Sequence, residues 1–490
     1  MTPANRFRRQ VGRVLMMVVI GLVSACRDDG STGPDLTASV ILTAPEPLNF
    51  IGDQDLIEVN ARSSAGEVVS APGLMWTSLD PGIATVDQAG MVTSVTRGEV
   101  RVVAALEGLA DTVTVVSRQV PATVVTPLDS VGLLVGDTHQ TMVTFSDSGG
   151  TAVPEAVASF SSADPGIASV GAEGLITGEV PGLTTVTVVE TGFGVATLDI
   201  TVGVFGSPET LVGSVTVPNR PFGIAVGPQS MAYVARVGIP EVSRLDLSEM
   251  AITNSFRVGV SPTDVAISLD GSLAWVTNQV SESVGLVEVG LDRQFLETQV
   301  PGRPFRVRVM PDGSSIYVTL NNGIVARITP GGELKESVEF PAAVNGVAYS
   351  GEFVYVSLPS GMVGRFVAGS TTVDRTYSVP GKPQEIVVSP DGNTAYIANE
   401  SLGLSVLDVA TGNVTIVNLS GGGFGMAVSP GWDRLYVTVP ARGNVEIVDL
   451  GTLEVVSTLS VGGAPRRIAF DRFGTVAVVA NEEGWVDVLR

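Results

Sequence analysis

The sequence predicts an all-β protein in which two β-sandwich modules are followed by a seven-bladed β-propeller. Its 490 residues are 44% apolar and only 16% charged, so the chain is long enough to bury several separate cores. Residues that favour strands and tight turns, above all Val, Thr, Gly and Ser, dominate the composition. Two internal repeats divide the chain, one with a period of 84 residues and one with a period of about forty.

Residues 1–25 have the pattern of an export signal. A basic stretch from Arg6 to Arg13 precedes an apolar stretch, Val14 to Ala25, which is too short to span a bilayer. The signal ends in Val-Ser-Ala before Cys26, which resembles the lipobox of bacterial lipoproteins. The resemblance implies cleavage before Cys26 and acylation of its sulfur, with residues 26–35 as a polar, lipidated tether. A plain signal peptide followed by an incidental cysteine is the alternative.

Acylation of Cys26 would determine where the protein is located. Two or three acyl chains bury enough methylene groups for stable attachment to a membrane. The residue after the cysteine is Arg27, not the aspartate that holds some lipoproteins in the inner membrane. We therefore expect an exported protein that is lipid-anchored at the outer membrane or the cell surface, with the periplasmic side as an alternative.

The 84-residue repeat covers residues 36–203. The segment WTSLDPGIATVD, at 76–87, aligns with FSSADPGIASVG, at 160–171. The same offset aligns further positions: Gly90 with Gly174, Val92 with Ile176, and Gly98 with Gly182. Short alternating runs between turn residues surround these positions, which predicts one sandwich in 36–118 and a second in 119–203.

The repeated pattern resembles the bacterial Ig-like group 2 domain. It consists of a large aromatic residue, Ser or Thr, then Asp-Pro-Gly-Ile-Ala, and two later glycines. The resemblance implies that Trp76 and Phe160 fill the cores of the two modules and do not line ligand cages. It also implies a stalk or an adhesive function, because the family occurs in surface proteins and adhesins.

From residue 210 the period changes to about forty. The repeats are aligned on the residue three positions before the start of an apolar triplet: Pro221, Pro262, Pro304, Val344, Pro383, Gly423 and Pro465. Each unit has a strand, a turn such as Asp391-Gly392, and a second strand, which carries an aromatic residue in six units and Val478 in the seventh. Two further strands follow in the first six units. Four strands in about forty residues are typical of a propeller blade. The last repeat ends after three strands, so we expect 211–217 to add the fourth strand and to close a seven-bladed ring over 210–490.

Two of these repeats resemble the YVTN-type repeat of bacterial and archaeal surface propellers. They are SPDGNTAYIAN, at 389–399, and SLDGSLAWVTN, at 268–278. The resemblance extends over 210–490 and is weakest in the fourth blade, where YSGEFVYVS has lost the Asp-Gly turn.

In propellers of this kind, the loop before the anchor strand and the loop after the second strand open on one face. We expect the following residues to form a candidate binding face there: Asp264, Arg306, Asn345, Glu385, Arg467, Asn278, Asn399 and Asn481. Convergent polar groups at a channel mouth can orient a ligand. Solvated loop residues are the alternative, and the asparagines can equally serve turns.

Composition excludes several function classes. The formal charge of −22 removes the main attraction for nucleic acid, so we expect none as a partner. A single cysteine and a single histidine, His139, exclude an internal disulfide and a multi-histidine metal site. The propeller segment has neither residue type, which excludes a histidine-ligated haem or a Ser-His-Asp triad there. We assign no metal, no cofactor and no catalytic residue.

These observations predict a lipid-anchored, monomeric envelope protein whose Ig-like stalk presents a propeller for binding or adhesion to a protein or glycan. Asp, Glu and Asn alone can support calcium-dependent lactone hydrolysis or a glycosidase carboxylate pair. An enzyme of the lactonase or glycosidase kind is therefore one alternative, and a purely structural envelope protein is another.

Overall fold

A computed structural model describes residues 37–193 and 196–490. The described residues divide into two compact units, one that ends at Val120 and one that begins at Pro121. The expected signal peptide, the tether and Cys26 lie outside the described residues. The described residues form strands without an α-helix, apart from two 3₁₀ turns at Val289–Leu291 and Pro440–Arg442, so the predicted all-β class is confirmed. Nowhere in this part of the chain is there a helix with the length and apolarity to cross a membrane.

The first unit contains one module, whose eight strands are β1 (Thr37–Thr43), β2 (Gln54–Leu56), β3 (Glu58–Ser63), β4 (Met75–Ser78), β5 (Ala84–Val86), β6 (Met91–Ser94), β7 (Gly98–Leu106) and β8 (Leu109–Ser117). They form three antiparallel sheets with the strand orders β1-β3, β2-β6-β5 and β4-β7-β8. Alternate residues of the strands point inward and meet in a single core around Trp76, Val92 and Val102.

The second unit begins with a second module, residues 121–205. Its nine strands are β9 (Pro121–Val125), β10 (Ser130–Leu134), β11 (Thr138–Gln140), β12 (Thr144–Asp147), β13 (Ala158–Ser162), β14 (Ala168–Val170), β15 (Leu175–Gly178), β16 (Gly182–Glu190) and β17 (Thr197–Phe205). The strand orders are β12-β9, β11-β15-β14 and β10-β17-β16-β13, with β10 parallel to β17.

The two modules share the register that the repeat predicts. Strands β5, β6 and β7 start 84 residues before β14, β15 and β16, whereas β8 and β17 start 88 residues apart because the last hairpin of the second module is longer. The repeated glycines face the repeated apolar residues. A Cβ atom on Gly90 would lie 2.7 Å from the Trp76 ring, and one on Gly174 would lie 2.7 Å from the Phe160 ring. The glycine therefore provides the space for the aromatic core residue.

The remainder of the second unit consists of seven four-stranded antiparallel sheets, numbered here from 1 to 7. Sheets 1 to 3 consist of β19 (Pro221–Val226), β20 (Met231–Arg236), β21 (Glu241–Asp246) and β22 (Ala251–Arg257); β23 (Pro262–Ile267), β24 (Leu273–Asn278), β25 (Ser283–Glu288) and β26 (Arg293–Gln299); and β27 (Pro304–Val309), β28 (Ile316–Leu320), β29 (Ile324–Ile328) and β30 (Val338–Glu339). Sheets 4 to 6 consist of β31 (Val347–Ser350), β32 (Phe353–Leu358), β33 (Met362–Val367) and β34 (Arg375–Ser378); β35 (Pro383–Val388), β36 (Thr394–Asn399), β37 (Gly403–Asp408) and β38 (Val414–Val417); and β39 (Met426–Val428), β40 (Arg434–Val439), β41 (Asn444–Asp449) and β42 (Val455–Ser460). Sheet 7 consists of β18 (Leu211–Thr216), β43 (Pro465–Phe470), β44 (Ala477–Asn481) and β45 (Trp485–Leu489).

Sheet 7 takes its fourth strand from the start of the region. Strand β18 pairs antiparallel with β45, from Leu211 opposite Leu489 to Thr216 opposite Trp485. Seven buried apolar clusters each join two neighbouring sheets, and one of them joins sheet 7 to sheet 1. The repeated aromatic residues of the second strands, such as Tyr233 and Tyr436, are buried in these clusters. The arrangement is propeller-like.

The second module packs on sheets 6 and 7. The Phe205 and Phe473 rings lie 6.3 Å apart, and the Gly206 amide donates to the Phe473 carbonyl at 2.8 Å. Ser207 donates to Asp433 at 2.8 Å, and Tyr436 donates to the Pro208 carbonyl at 2.9 Å. The contacted segments are the turns between the first and second strands of these two sheets. The second module and the repeat region thus lie in one compact unit. Their assignment as separate domains stays a prediction.

Candidate functional site

The inner strands β19, β23, β27, β31, β35, β39 and β43 contact one another in order around the centre of the seven sheets. We call the end at which these strands begin the mouth. Because neighbouring strands are antiparallel, the loops between second and third strands also open at the mouth, whereas the turns that contact the second module lie at the opposite end. The mouth therefore faces away from the second module.

Four predicted site residues meet at the centre and form an ionic cluster with Arg308. Arg306 donates to Asp264 at 2.8 Å and contacts Glu385 at 2.6 Å. Arg308 contacts the same two carboxylates, each at 3.3 Å. Arg467 donates through Nη1 to Glu385. The cluster thus connects sheets 2, 3, 5 and 7, and its members are up to 203 residues apart, from position 264 to position 467.

This arrangement corrects the predicted placement of the four charged residues. We expected Asp264, Arg306, Glu385 and Arg467 in loops at the mouth, but each is the third residue of an inner strand and at most 3% exposed. The strand begins at the anchor proline itself, so the third residue already points toward the centre. Whether this end of the molecule binds a ligand stays a prediction.

Burial determines the electrostatics of the cluster. It raises the pKa of Asp264 to about 6 and raises the pKa of Glu385, although the arginines beside them act in the opposite direction. Burial lowers the pKa of Arg467, against the attraction of Glu385 and Asp264. Burial also opposes the charge of Arg308, but Glu385 and Asp264 outweigh it and raise the pKa of Arg308. Three arginines and two carboxylates leave the cluster with one positive charge when all are ionised.

Three phenylalanines lie over this cluster at the mouth. Phe222 is 6.1 Å from Phe305 and 5.8 Å from Phe424 between ring centroids, and both pairs are edge-to-face. The rings come from sheets 1, 3 and 6, which are not neighbours, so they meet across the mouth. The guanidinium carbon of Arg467 lies 5.1 to 5.8 Å from all three ring centroids. Arg466 is 4.8 Å from the Phe424 ring.

Asn345 belongs to a chain of polar side chains at the mouth. It is half-buried, and its side chain donates to Gln384 at 2.6 Å, which in turn donates to Glu400 at 2.9 Å. It does not contact the ionic cluster in the structure, because Gly346 and not Asn345 occupies the position equivalent to Asp264. The polar chain is part of the mouth.

The three remaining asparagines lie apart from the cluster and brace loops. Asn278, Asn399 and Asn481 are each the last residue of a second strand and are fully buried. Asn399 accepts from the Lys382 amide and donates to the Pro380 carbonyl, and Asn481 forms the equivalent bonds with Ala464 and Gly462. Asn278 donates to Ser283. All three are therefore buried and not exposed on a face, and the amides of Asn399 and Asn481 satisfy backbone groups of the preceding loop.

A groove of about 930 Å³ opens between sheets 1 and 2 at the end opposite the mouth. The charged groups that line this groove already have partners: Arg244 lies 2.7 Å from Asp292, Arg293 lies 3.5 Å from Glu288, and Asp270 accepts from the Ser272 hydroxyl at 2.9 Å. Within the described residues no three or more His, Cys, Asp or Glu side chains are grouped as metal ligands. The mouth is therefore the stronger candidate site.

Sequence reasoning missed Arg308 and the phenylalanines. Arg308 follows Arg306 by two residues in one strand, so strand alternation could have placed both side chains toward the centre. Phe222, Phe305 and Phe424 each follow an anchor residue directly, and this shared position was an available signal.

Comparison with known proteins adds information on the fold. No protein-family model matches the chain, and the search of curated proteins gives no match. Among solved structures, a chain of hydrazine synthase from Kuenenia stuttgartiensis is similar, with a TM-score of 0.52, 21% sequence identity, and coverage of 56% of this chain and 96% of that chain. At this identity the likeness shows the fold alone, which agrees with a propeller-like, β-rich architecture.

Proposed function

We propose that this chain is a lipid-anchored cell-envelope protein whose seven sheets form a closed, seven-bladed β-propeller that binds a protein or glycan at the mouth. Two Ig-like sandwiches precede the propeller and act as a stalk. The acyl chains on Cys26 attach the protein to the outer membrane or cell surface.

The observation that carries the binding function is the group of side chains at the mouth. Phe222, Phe305 and Phe424 converge there from three sheets, and Arg466 lies against the Phe222 and Phe424 rings. Asn345 and Gln384 hold the equivalent position after the anchor in sheets 4 and 5 and bond to each other. Aromatic rings and arginine dominate the energetics of many interfaces, and carboxamides supply directional hydrogen bonds. A solvated face without function needs no such convergence of aromatic rings.

The position of the second module supports presentation of this surface. The module contacts the turns of sheets 6 and 7 at the end opposite the mouth. A stalk attached there leaves the mouth uncovered by the module. The two ends of the propeller then have separate tasks, attachment and recognition.

The enzymatic alternative receives less support from the geometry. A general acid, a nucleophile or a glycosidase pair needs a carboxylate that can reach substrate. Asp264 and Glu385 are fully buried, and each is bonded to two or more arginines. Because arginines of the cluster bind both carboxylates, neither is available to a substrate. This favours a binding function over catalysis.

A binding experiment on the full chain tests the proposal. The purified protein is screened on arrays of envelope glycans and surface proteins, and each hit is measured by calorimetry. Replacement of Phe222 and Phe305 together by alanine should weaken binding at least about tenfold, because interface anchors typically contribute 2 kcal/mol or more. The matched control is Phe295→Ala, which removes a half-exposed ring on the outer strand β26 and should leave affinity unchanged. Equal effects of both changes would contradict a site at the mouth.

The anchor requires a separate test. Cells fed a fatty acid that carries an alkyne should label the wild-type protein, and Cys26→Ser should abolish the label and move the protein to the soluble fraction. Membrane attachment that persists in Cys26→Ser without label would contradict lipidation.

A further inference from the structure

The guanidinium of Arg467 has an edge without a hydrogen-bond partner. The residue is 2% exposed, and only its Nη1 atom donates to a carboxylate, that of Glu385. Among the described residues, Nε and Nη2 of Arg467 are buried without a partner, and so is Nε of Arg306. Two of these three donors belong to the same guanidinium.

Such donors are uncommon in a folded protein. Most buried polar groups are hydrogen-bonded, since an unpaired one loses its solvation without compensation. Nε and Nη2 lie on one side of the planar guanidinium and form the fork with which arginine takes a carboxylate through two parallel bonds. The free edge of Arg467 has the geometry of half of a bidentate pair.

The surroundings favour an anion at this edge. Arg467 lies beneath Phe222, Phe305 and Phe424, and apolar rings reduce the local dielectric and strengthen an ionic hydrogen bond. The central cluster has three arginines and two carboxylates, so its charge is positive while the whole chain carries −22. The acidic surface repels polyanions at long range, which favours a ligand with one negative group.

We propose that the Nε–Nη2 edge of Arg467 binds the single carboxylate of a small ligand, or of a chain end, whose body lies against the three phenylalanine rings. This proposal rests on the proposed binding function of the mouth and assigns the chemistry of its ligand. The carboxylate can belong to a sugar acid or to another organic acid, since both present the same group to the fork. Arg466, Asn345 and Gln384 surround the body of the ligand.

Calorimetry on the full chain distinguishes these sources. Glucuronate and benzoate are compared with glucose and benzamide, which have similar bodies without a carboxylate. We expect one or both acids to bind and their neutral counterparts to bind at least about tenfold more weakly, because a charge-assisted bidentate pair is lost. Glucuronate alone would identify a sugar acid as the source, and benzoate alone or with glucuronate a broader class of carboxylates.

A charge-preserving substitution tests the residue. Arg467→Lys keeps the positive charge but removes the fork, so it should weaken carboxylate binding at least about tenfold. Arg303→Lys is the matched control, since Arg303 is exposed near the mouth and has no part in the cluster; it should bind as the wild type. Wild-type affinity in Arg467→Lys, or equal affinity for the acids and their neutral counterparts, would overturn the assignment.

A second measurement keeps the proposal testable if Arg467→Lys does not fold. Crystals of the wild-type chain soaked in bromide should show an anomalous peak within hydrogen-bond distance of Nε and Nη2 of Arg467. An ordered water on both atoms that neither bromide nor carboxylate displaces would overturn the proposal. If neutral ligands bind in a manner that needs Phe222 and Phe305 while carboxylates add nothing, the carboxylate assignment fails and the binding function stands.

Discussion

The seven sheets differ at one position at their centre, two residues after the anchor residue. Sheets 2, 3, 5 and 7 carry a charged residue there, whereas sheets 1, 4 and 6 carry Gly223, Gly346 and Gly425. A Cβ atom on Gly223 would lie 2.5 Å from the Cα atom of Asp264, and one on Gly346 would lie 2.7 Å from the Gln384 carbonyl oxygen. Each of the three glycines lies in the sheet before one that carries a charged residue, and its missing side chain lets the backbone of that next sheet come close. Glycine at the centre therefore allows neighbouring sheets to pack closely, whereas the charged residues form contacts across the centre.

The largest expected effect comes from removal of the acid that most arginines share. Glu385→Ala leaves Arg306, Arg308 and Arg467 without their common carboxylate. Breaking a buried ion pair typically costs about 3–5 kcal/mol, so the unfolding free energy of the full chain should fall by that amount in urea titrations. The control Glu352→Ala removes an exposed acid and should change stability by less than about 0.5 kcal/mol. A similar loss in both variants would show that the cluster adds nothing specific.

A glycine substitution tests the other half of the comparison. A methyl group at Gly425 would overlap the carbonyl oxygen of Arg466 in the neighbouring sheet, which is backbone and cannot rotate away. Gly425→Ala should therefore destabilise the protein by about 3 kcal/mol, at the upper end of typical overpacking costs. Gly290→Ala is the control, because no atom lies within 4 Å of its added Cβ. A melting temperature that is unchanged in Gly425→Ala would refute the close-packing interpretation.

A buried acid outside the cluster gives an effect on stability that develops only as the pH rises. Asp487 in β45 accepts from Ser214 at 2.5 Å and from Trp485 at 3.0 Å, and burial raises its pKa from 3.8 to about 6. The folded chain then holds more protons than the unfolded chain between these values. Its stabilising contribution is full below about pH 4 and is lost as the pH rises through about 6. At 1.36 kcal/mol per pKa unit, the loss is about 3 kcal/mol.

Denaturant unfolding of the full chain between pH 4 and 8, followed by Trp fluorescence, measures this loss. Asp487→Asn should unfold with a shallower pH dependence, because its amide does not titrate. Burial also raises the pKa of Asp264 to about 6, so the titration of Asp264 should preserve part of the pH dependence of stability in the variant. The same slope in both proteins would mean that Asp487 does not titrate in this range.

Sequence reasoning predicted the fold more closely than the site. The anchor residues Pro221, Pro262, Pro304, Pro383 and Pro465 are the first residues of inner strands, and β18 adds to sheet 7 where 211–217 was expected. Turn residues and the alternation of apolar and polar residues follow from local backbone geometry, so both can be recognised in the sequence. The four charged residues were found because the repeat aligns them at the predicted start of the anchor strands. Their burial was not predicted, since it depends on how closely the sheets approach one another.

Sequence alone determined the all-β class, the two repeat periods, the strand anchors and the positions that deviate from the repeat. These features follow from local preferences of residues and turns. The tertiary structure alone decided that Asp264, Arg306, Glu385 and Arg467 meet in one buried cluster with Arg308, that three phenylalanines cross the mouth, and that the second module packs at the opposite end. The physical reason is distance: Asp264 and Arg467 are separated by 203 positions in sequence, and only the packing of successive sheets around a common centre brings both into one cluster.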